Sequence, residues 1–499
     1  MVNFLGIDLG TTFSAMATID ETGRPKIIHN SAGHNVTPSC VLIEEDGKTI
    51  VGETAEKQWG LDPKTAFARF KRDMGSINNH SVNGVEYTPT LLSSIVLRKL
   101  RQDAEKVLGS VDEAVVTIPA NFAHEARDAT MTAAKEAGLN VKYIINEPTA
   151  AAIYYAFKSG EELSGNYAVY DLGGGTFDVS VIRVDGHDVE VLSSNGISRL
   201  GGDDFDLRLQ ELVNKKFVDL TGEELEPEDF TKGDAEEEKK SLSQRDTVKV
   251  RVARKIIDIS RHDFEEAISS LVTQAEMLCE STMDEAGVGS KDLAGVFLVG
   301  GSTRIPIVKA SVERVFGTKP MDSVNVDEVV ALGAALYAAF KADKSKMTSI
   351  QKQSIEKIKV SESTGKCFGT ISMGFDTARN EPKLENSIII RKGEKIPCSV
   401  MESFYTMGEG QDAVNCTVTE STAPENDPRF VKIIWEGELE LPGGRPEGQE
   451  IKVTFAYDDN QIMKVSFLDV DTGRETKKDL SFVDSAGAGA NEIDKFMVE

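Results

Sequence analysis

The stretch Phe4–Ser14, FLGIDLGTTFS, recurs in altered form at Ala168–Ser180, AVYDLGGGTFDVS, about 163 residues later. Each copy has an apolar run that reaches an aspartate, then a Gly/Thr turn, then a second apolar run. An apolar run of about four to six residues bounded by glycine is typical of a buried strand, so each copy predicts a hairpin. The repetition predicts two similar α/β halves.

Other segments continue this alternation of strands and helices. Ala114–Ile118 is predicted to be a strand that ends at Pro119, and Glu125–Ala137 an amphipathic helix that ends at Gly138. Val296–Val299 is predicted to be a further strand before Gly300. We therefore expect an α/β domain over residues 1–340.

The composition changes after residue 340. Residues 341–360 lose glycine and apolar clusters and gain Lys, Ser and Gln, which indicates a linker or a short surface helix. Over residues 361–483 the pattern has period two, as in Ala413–Glu420 (AVNCTVTE), and predicts an antiparallel β-sandwich. Residues 484–499 include SAGAGA and offer little apolar surface, so a flexible tail is predicted.

The overall charge limits the classes of partner. Lys and Arg number 56 and Asp and Glu 82, which gives a formal charge of −26. Such a chain is repelled by phosphate backbones and anionic lipid surfaces, so neither nucleic acid nor membrane is expected as a partner.

Five scattered cysteines without a C-x-x-C pair argue against a zinc site and a disulfide framework, and a cytoplasmic location is expected. No apolar stretch reaches about 18 residues.

Three glycine-containing turns carry the chemistry. In Asp8-Leu9-Gly10-Thr11-Thr12, backbone N–H groups and hydroxyls can surround phosphate oxygens while the aspartate holds magnesium through water. Asp171–Thr176 offers the same construction, and its three glycines let the backbone approach a phosphate. The turn that begins at Gly300 can contact ribose and phosphate, with Arg304 along the base. Taken singly, either Gly/Thr turn is more typical of an ordinary hairpin turn, and the third turn has a plain strand-to-helix connection as its alternative. Together the turns favour one nucleotide between two halves.

In their order and spacing, these turns resemble those of the 70-kDa heat-shock chaperones of the DnaK type, over roughly residues 3–482. Further matching strings are Phe70-Lys71-Arg72, Val116–Ala120, Ile145–Ala152, Leu200–Asp206 and Asp327–Ala335. The resemblance implies an α/β actin-like (duplicated ribonuclease H-like) ATPase domain of two lobes, followed by an antiparallel β-sandwich that binds extended or unfolded polypeptides. It also implies slow hydrolysis of ATP to ADP and phosphate, with Mg²⁺.

The resemblance assigns roles to individual residues. Asp8 and Asp171 would order a hydrated magnesium, Thr176 would contact phosphate oxygens, and Lys71 with Glu147 would orient the attacking water and offset charge. Read alone, a Lys and a Glu are more typical of a surface salt bridge. The residues implied to contact the nucleotide are Gly10, Thr11, Thr12, Phe13, Gly173, Gly174, Gly175, Gly201, Gly202, Glu236, Lys239, Lys240, Ser243, Gly300, Gly301, Ser302, Arg304 and Asp327.

The sequence departs from the family's pattern at several places. Lys240 stands where many relatives carry Arg, which predicts weaker stacking on the base. The linker stretch Ile355–Val360 (IEKIKV) contains two lysines where the family has leucines, and Tyr143 occupies a position usually held by an arginine that faces J-domain partners. No segment resembles the helical lid, which predicts fast peptide release. A J-domain co-chaperone and a nucleotide exchange factor are implied as partners, with weakened J-domain stimulation.

Three functions remain open from the sequence. The first is an ATP-dependent chaperone that cycles clients. The second is a specialised, non-cycling ATP-binding scaffold or co-chaperone with a dedicated partner, which the altered linker, Tyr143 and the missing lid favour. The third, an actin-like filament or sugar-kinase relative, leaves residues 361–482 unexplained.

Overall fold

The computed structural model describes residues 3–44, 48–62, 64–82, 85–159, 163–186, 188–321, 324–342, 345, 347–355, 362–376, 381–458, 463–480 and 496–498. The chain divides into two compact units. The first comprises Met1–Val360 together with Ala486–Glu499, and the second comprises Ser361–Ser485.

The first unit mixes strands and helices. Its strands are β1 (Phe4–Asp8), β2 (Phe13–Ile19), β3 (Pro25–Ile28), β4 (Val36–Pro38), β5 (Cys40–Ile43), β6 (Lys48–Val51), β7 (Ala66–Ala68), β8 (His80–Val82), β9 (Val85–Tyr87), β10 (Glu113–Ile118), β11 (Val141–Asn146), β12 (Leu163–Leu172), β13 (Phe177–Gly186), β14 (Asp188–Ile197), β15 (Thr247–Val252), β16 (Lys255–Ser260), β17 (Leu293–Val299) and β18 (Pro320–Met321). Its helices are α1 (Glu53–Leu61), α2 (Pro89–Leu108), α3 (His124–Glu136), α4 (Glu147–Ser159), α5 (Gly202–Thr221), α6 (Lys232–Gln244), α7 (Arg261–Ala286), α8 (Pro306–Phe316), α9 (Val329–Lys341) and α10 (Ser349–Ile355).

Two sheets of the first unit share one topology. The order is β3-β2-β1-β10-β11 in one and β14-β13-β12-β17-β18 in the other. In each, the first three strands pair antiparallel and the last three parallel. The two predicted hairpins are β1–β2 and β12–β13, so the repeat seen in the sequence is a repeat of strand order and direction.

Helices α4 and α9 pack between these two sheets. Their apolar side chains form one buried cluster with residues of both, among them Val115 and Phe297. Tyr155 of α4 stacks on Phe297 with ring centroids 4.3 Å apart, and its hydroxyl donates to the carbonyl of Leu298 at 3.1 Å. A second buried cluster joins the second sheet to α5, α7 and α8. Burial of this apolar surface holds the unit together.

The second unit consists of strands joined by loops, with a short 3₁₀ helix at Pro428–Phe430 among its described residues. Its strands are β19 (Glu362–Ser363), β20 (Cys367–Asp376), β21 (Glu381–Ile390), β22 (Lys395–Ile396), β23 (Cys398–Tyr405), β24 (Ala413–Ser421), β25 (Lys432–Glu440), β26 (Glu450–Tyr457), β27 (Met463–Asp469) and β28 (Glu475–Leu480). Two antiparallel sheets, β21-β20-β24-β25 and β23-β26-β27-β28, contribute to one buried core that includes Val418, Phe455 and Phe467. The alternation of residues along the strands produces this core, because every second side chain faces inward.

The predicted linker over 341–360 is partly built into the first unit. Helix α10 lies within it, Met347 is buried, and the Gln351 side-chain amide donates to the carbonyl of Asp20 at 3.1 Å. Residues 356–360, which carry the two lysines of the altered stretch, lie outside the described residues.

The prediction of a flexible tail is wrong for Met497 and Val498. They form strand β29 (Met497–Val498), which pairs parallel with β6 of the first unit. Residues 484–495 of the predicted tail lie outside the described residues. In the described part of the chain, no helix is long and apolar enough to cross a membrane.

Candidate functional site

The turns after β1, β12 and β17 meet at one cavity of about 230 Å³. It is lined by Gly10, Thr11, Thr12 and Phe13 from the first turn, by Gly173–Thr176 from the second, and by Gly300 and Gly301 from the third. Each turn follows the end of a buried strand, so the sheets hold the three turns in place. This places backbone N–H groups and hydroxyls of three separate segments around one space.

Five carboxylates, those of Asp8, Glu147, Asp171, Asp178 and Asp327, line the same cavity together with the cations Lys71 and Arg72. Asp8 ends β1, Asp171 lies near the end of β12, Asp178 faces it from β13, and Glu147 begins α4. Lys71, in a 3₁₀ turn, brings its Nζ to within 2.8 Å of Glu147 Oε1, and both side chains are nearly excluded from solvent. The protein groups alone leave the cavity with an excess of negative charge.

Burial and mutual repulsion perturb the carboxylates. Burial, followed by the charge of Glu147, raises the pKa of Asp8 and of Asp178 to about 7. The same two causes raise the pKa of Asp171 well above its ordinary value. Burial alone would lower the pKa of Lys71, but the charges of Glu147 and Asp8 raise it. Such shifts mark a site withdrawn from water in which carboxylates lie close together.

The donor set fits a hydrated magnesium ion and phosphate oxygens. No group of three or more His, Cys, Asp or Glu side chains gathers as direct metal ligands in the described residues, whereas Mg²⁺ commonly keeps several waters and uses one or two carboxylates. The buried hydroxyl of Thr12 has no hydrogen-bond partner among the described residues. A Cβ added at Gly201 would lie 2.7 Å from the backbone of Gly174, so only glycine permits this close approach.

A second cavity of about 540 Å³ adjoins the first, since Thr12, Phe13, Gly174, Gly301 and Asp327 line both. Helix α6 supplies Glu236, Lys239, Lys240 and Ser243 to it, and the third turn supplies Ser302 and Arg304. Helix α6 begins with a capping box, in which Thr231 and Asp234 satisfy each other's backbone N–H groups. The larger space beside the acidic one suits the base and ribose of a nucleotide.

Internal contacts already engage several groups of α6. The Lys239 ammonium contacts Asp206 at 2.7 Å and the carbonyl of Gly202 at 2.9 Å. Lys240 pairs with Glu236 at 2.8 Å, one helical turn away. Arg304 pairs with Asp327 at 2.6 Å. These contacts fix the side chains along the wall of the cavity before any ligand arrives.

An ionic and aromatic cluster stands at the same cavity. Arg69 pairs with Asp203 through two hydrogen bonds, and Lys232 contacts Asp203 at 2.9 Å. The ring of Trp59 lies 5.0 Å from the Arg69 guanidinium and 4.6 Å from the Lys232 ammonium. Arg69 has a left-handed backbone, φ 64°, which is uncommon for a residue other than glycine. We call these four residues the cleft cluster.

The structure brings the predicted residues together, with one exception. All of them line one of the two cavities except Gly201, which packs against Gly174 behind the wall. Sequence reasoning missed Asp178, Asn121 and Arg72 in the first cavity and Asp203 and Asp206 in the second. Asn121 donates to Asp178 at 2.9 Å. The sequence did contain one indication of Asp178, because it is a carboxylate within the otherwise apolar run that follows the Gly/Thr turn in Ala168–Ser180.

Comparison with protein families gives one match. A family model described as Hsp70 protein matches residues 4–499, which is nearly the whole chain.

Proposed function

Since the chain belongs to the Hsp70 family, whose members are ATP-dependent chaperones, we propose that its first unit is a two-lobed actin-like ATPase that regulates peptide binding by the β-sandwich of its second unit. The observation that carries this proposal is the buried Lys71–Glu147 pair, which faces three Gly/Thr turns and Asp8 and Asp171 across one cavity. Phosphoryl transfer needs this combination of positioning and charge compensation more than covalent chemistry.

The phosphate end of the nucleotide belongs in the smaller cavity. Asp8 and Asp171 would hold Mg²⁺ through its waters, and when bound this ion neutralises phosphate charge. Backbone N–H groups of the first two turns, with the hydroxyls of Thr11, Thr12 and Thr176, bind phosphate oxygens. Thr117 Oγ1 donates to Asp8 Oδ1 at 3.1 Å and keeps that carboxylate in one orientation.

Lys71 and Glu147 carry the reactive part of the proposal. Lys71 places a positive charge where the γ-phosphate gains negative charge, and it leaves Glu147 with one oxygen free of that hydrogen bond to orient a water molecule. The ring of Phe122 lies 5.7 Å from the Lys71 ammonium and helps to exclude bulk water. The chemistry is hydrolysis of ATP to ADP and phosphate.

The adenosine end belongs against helix α6. Ser243 keeps its oxygen available as an acceptor because its hydroxyl donates to the carbonyl of Lys239 at 3.0 Å. Lys240, whose side chain is 63% exposed and pairs with Glu236, lines the cavity where a base would lie, but its compact charge stacks less well than a guanidinium. We therefore expect ATP to bind with a weaker contribution from base stacking than an arginine would give.

The second unit offers surface for an extended polypeptide. Its described strands and loops expose large apolar side chains, which are Met373, Phe375, Leu384, Met401, Tyr405, Met407, Phe430 and Ile433. Contiguous exposed apolar side chains mark interaction sites, and in this set Met373 lies directly opposite Leu384 on the paired strands β20 and β21. We propose that unfolded or extended segments bind there.

A J-domain co-chaperone and a nucleotide exchange factor are further proposed partners. The ammonium of Lys341 lies 5.1 Å from the ring centroid of Tyr143, so a cation stands beside the residue that replaces the usual arginine. We propose that stimulation by a J-domain protein is weak at this altered surface. Single-turnover hydrolysis that a J-domain protein accelerates strongly would contradict this.

The second candidate function, a non-cycling ATP-binding scaffold, is favoured by the contacts that already occupy Lys239 and Arg304. Single-turnover ATP hydrolysis by the purified chain separates the two candidates, with Lys71→Ala as the catalytic variant and an extended peptide present or absent. Magnesium-dependent turnover that is lost in Lys71→Ala, with peptide affinity lowered by ATP, supports the ATPase. Tight ATP binding without turnover supports the scaffold.

A further inference from the structure

Strand β6 would be the edge of a small sheet without the chain's last described residues. The sheet order is β29-β6-β5-β7, with Met497 opposite Lys48 and Val498 opposite Thr49. On its other side β6 pairs antiparallel with β5, where Val41 faces Val51. An uncovered edge presents unpaired N–H and C=O groups and readily accepts another strand.

Side-chain contacts reinforce this pairing. The ring of Phe496 lies 6.2 Å from that of Tyr87, which in turn meets Phe67 of β7 edge-on at 5.0 Å. Val498 lines a shallow depression beside Lys99, Gln102 and Lys106 of α2. The segment therefore makes three kinds of contact: strand pairing, an aromatic contact, and an aliphatic contact at the helix.

Met497 takes no part in the apolar contacts. Its side chain is 64% exposed, while Phe496 and Val498 on either side are half-buried. This alternation is what strand addition requires, because successive side chains point to opposite faces and only one face meets the receptor. The site therefore binds a segment in which an aromatic residue is followed by any residue and then by a β-branched residue.

We propose that the edge of β6, with Tyr87 and the adjoining face of α2, is a peptide-binding site that works by strand addition and is filled in cis by the chain's own Phe496–Val498. The site lies apart from both cavities of the candidate functional site and does not rest on the proposed function. Because a tethered segment acts at a high effective concentration, a free peptide of the same pattern competes only weakly until the segment is released.

Hydrogen exchange on the full chain tests occupancy of the edge. The double variant Phe496→Ala/Val498→Asp truncates one half-buried side chain and places a charge at the other, and Met497→Ala is the matched control because that side chain is exposed. We expect amide exchange in Lys48–Val51 to become at least about tenfold faster in the double variant and to stay unchanged in the control. Unchanged exchange in the double variant would overturn the proposal. Loss of protection when the wild-type chain is diluted would assign the segment to a second copy and overturn the cis assignment.

Peptide binding tests recognition. A fluorescein-labelled peptide of residues 491–499, NEIDKFMVE, is titrated against both full-length chains, with ATP binding as the measure of an intact fold. We expect it to bind the double variant at least about tenfold more tightly than the wild type, and an alanine replacement of its phenylalanine to abolish binding. No binding to the double variant would overturn the assignment of β6 as a peptide receptor.

Discussion

Lys71 and Glu147 form a buried ion pair, with 2.8 Å between Nζ and Oε1, although 76 residues separate them along the chain. Lys71 comes from a short 3₁₀ turn and Glu147 from the junction of β11 and α4. A buried pair of this kind is costly to break, because removal of one partner leaves an unpaired charge in the interior. Its position among Asp8, Asp171 and three Gly/Thr turns is the basis of the catalytic role that we propose for it.

The pair is expected to act as one unit in hydrolysis. We predict that Lys71→Ala and Glu147→Ala each slow single-turnover hydrolysis by roughly a hundredfold or more. The double variant should hydrolyse ATP at about the same rate as the slower single variant. The measurement is a double-mutant cycle on the hydrolysis rate, with Lys64→Ala at an exposed position as the control. Losses that multiply in the double variant would show that the two residues act independently.

Glu56 of α1 is expected to make stability depend on pH. Burial, followed by the charge of Glu236, raises its pKa from 4.5 to about 7. The folded chain then holds this proton while the unfolded chain releases it, so folding stability falls as pH rises from about 4.5 to 7. We predict that Glu56→Gln raises the free energy of unfolding by roughly 1–3 kcal/mol at pH 8 and changes it little at pH 4.

Thermal unfolding across this pH range measures the effect. Glu21→Gln, on an exposed turn, is the control that changes the net charge equally. A gain in stability that is the same at pH 4 and pH 8 would contradict the assigned proton.

Local patterns in the sequence were sufficient for the main elements of the fold. An apolar run, a Gly/Thr turn and a second apolar run produced both hairpins, because strand period and turn chemistry are encoded within about a dozen residues. The shared order of the two sheets follows from the same repeat. The alternation in AVNCTVTE likewise became β24, whose inward residues Cys416 and Val418 are fully buried.

Local sequence patterns could not predict contacts between segments that lie far apart in the chain. Asp203 and Lys232 lie in charged strings that look like solvated helix faces, and only the fold brings them to Arg69 and Trp59. The end of the chain was misjudged for the same reason. SAGAGA predicts no packed structure, but whether Met497 and Val498 form a strand is decided by the open edge of β6, which no local pattern reports.

The cleft cluster is expected to slow nucleotide release. Burial alone would raise the pKa of Asp203, but the hydrogen bonds and charge of Arg69 lower it to about 2, so the carboxylate is charged at any pH near neutrality. Asp203→Asn leaves Arg69 and Lys232 without their shared counter-ion. It also removes an interaction that helps to hold Arg69 in its left-handed backbone conformation. We predict nucleotide dissociation about tenfold faster, as measured by stopped-flow chase of a fluorescent ATP analogue.

The control for this variant lies on the same helix. Arg208→Ala removes an ion pair with Glu211 whose two side chains are 42% and 52% exposed, and such pairs contribute little. Equal dissociation rates for Asp203→Asn and Arg208→Ala would show that the cleft cluster has no part in nucleotide retention.

Asp178 allows the excess negative charge of the smaller cavity to be tested directly. With Asp8, Glu147, Asp171 and Asp327 it gives five carboxylates against the two cations Lys71 and Arg72, so ATP phosphates are repelled unless a divalent cation is present. The dissociation constant of ATP should therefore be much larger in EDTA than in magnesium. At pH 8, where Asp178 with its pKa of about 7 is mostly charged, Asp178→Asn removes one negative charge but neither of the carboxylates proposed to hold the ion. We therefore predict that the ratio of these two dissociation constants shrinks by about tenfold at that pH. Asp219→Asn, at an exposed position of α5, controls for net charge. If the ratio is the same in both variants and the wild type, the magnesium requirement has another origin than repulsion within this cavity.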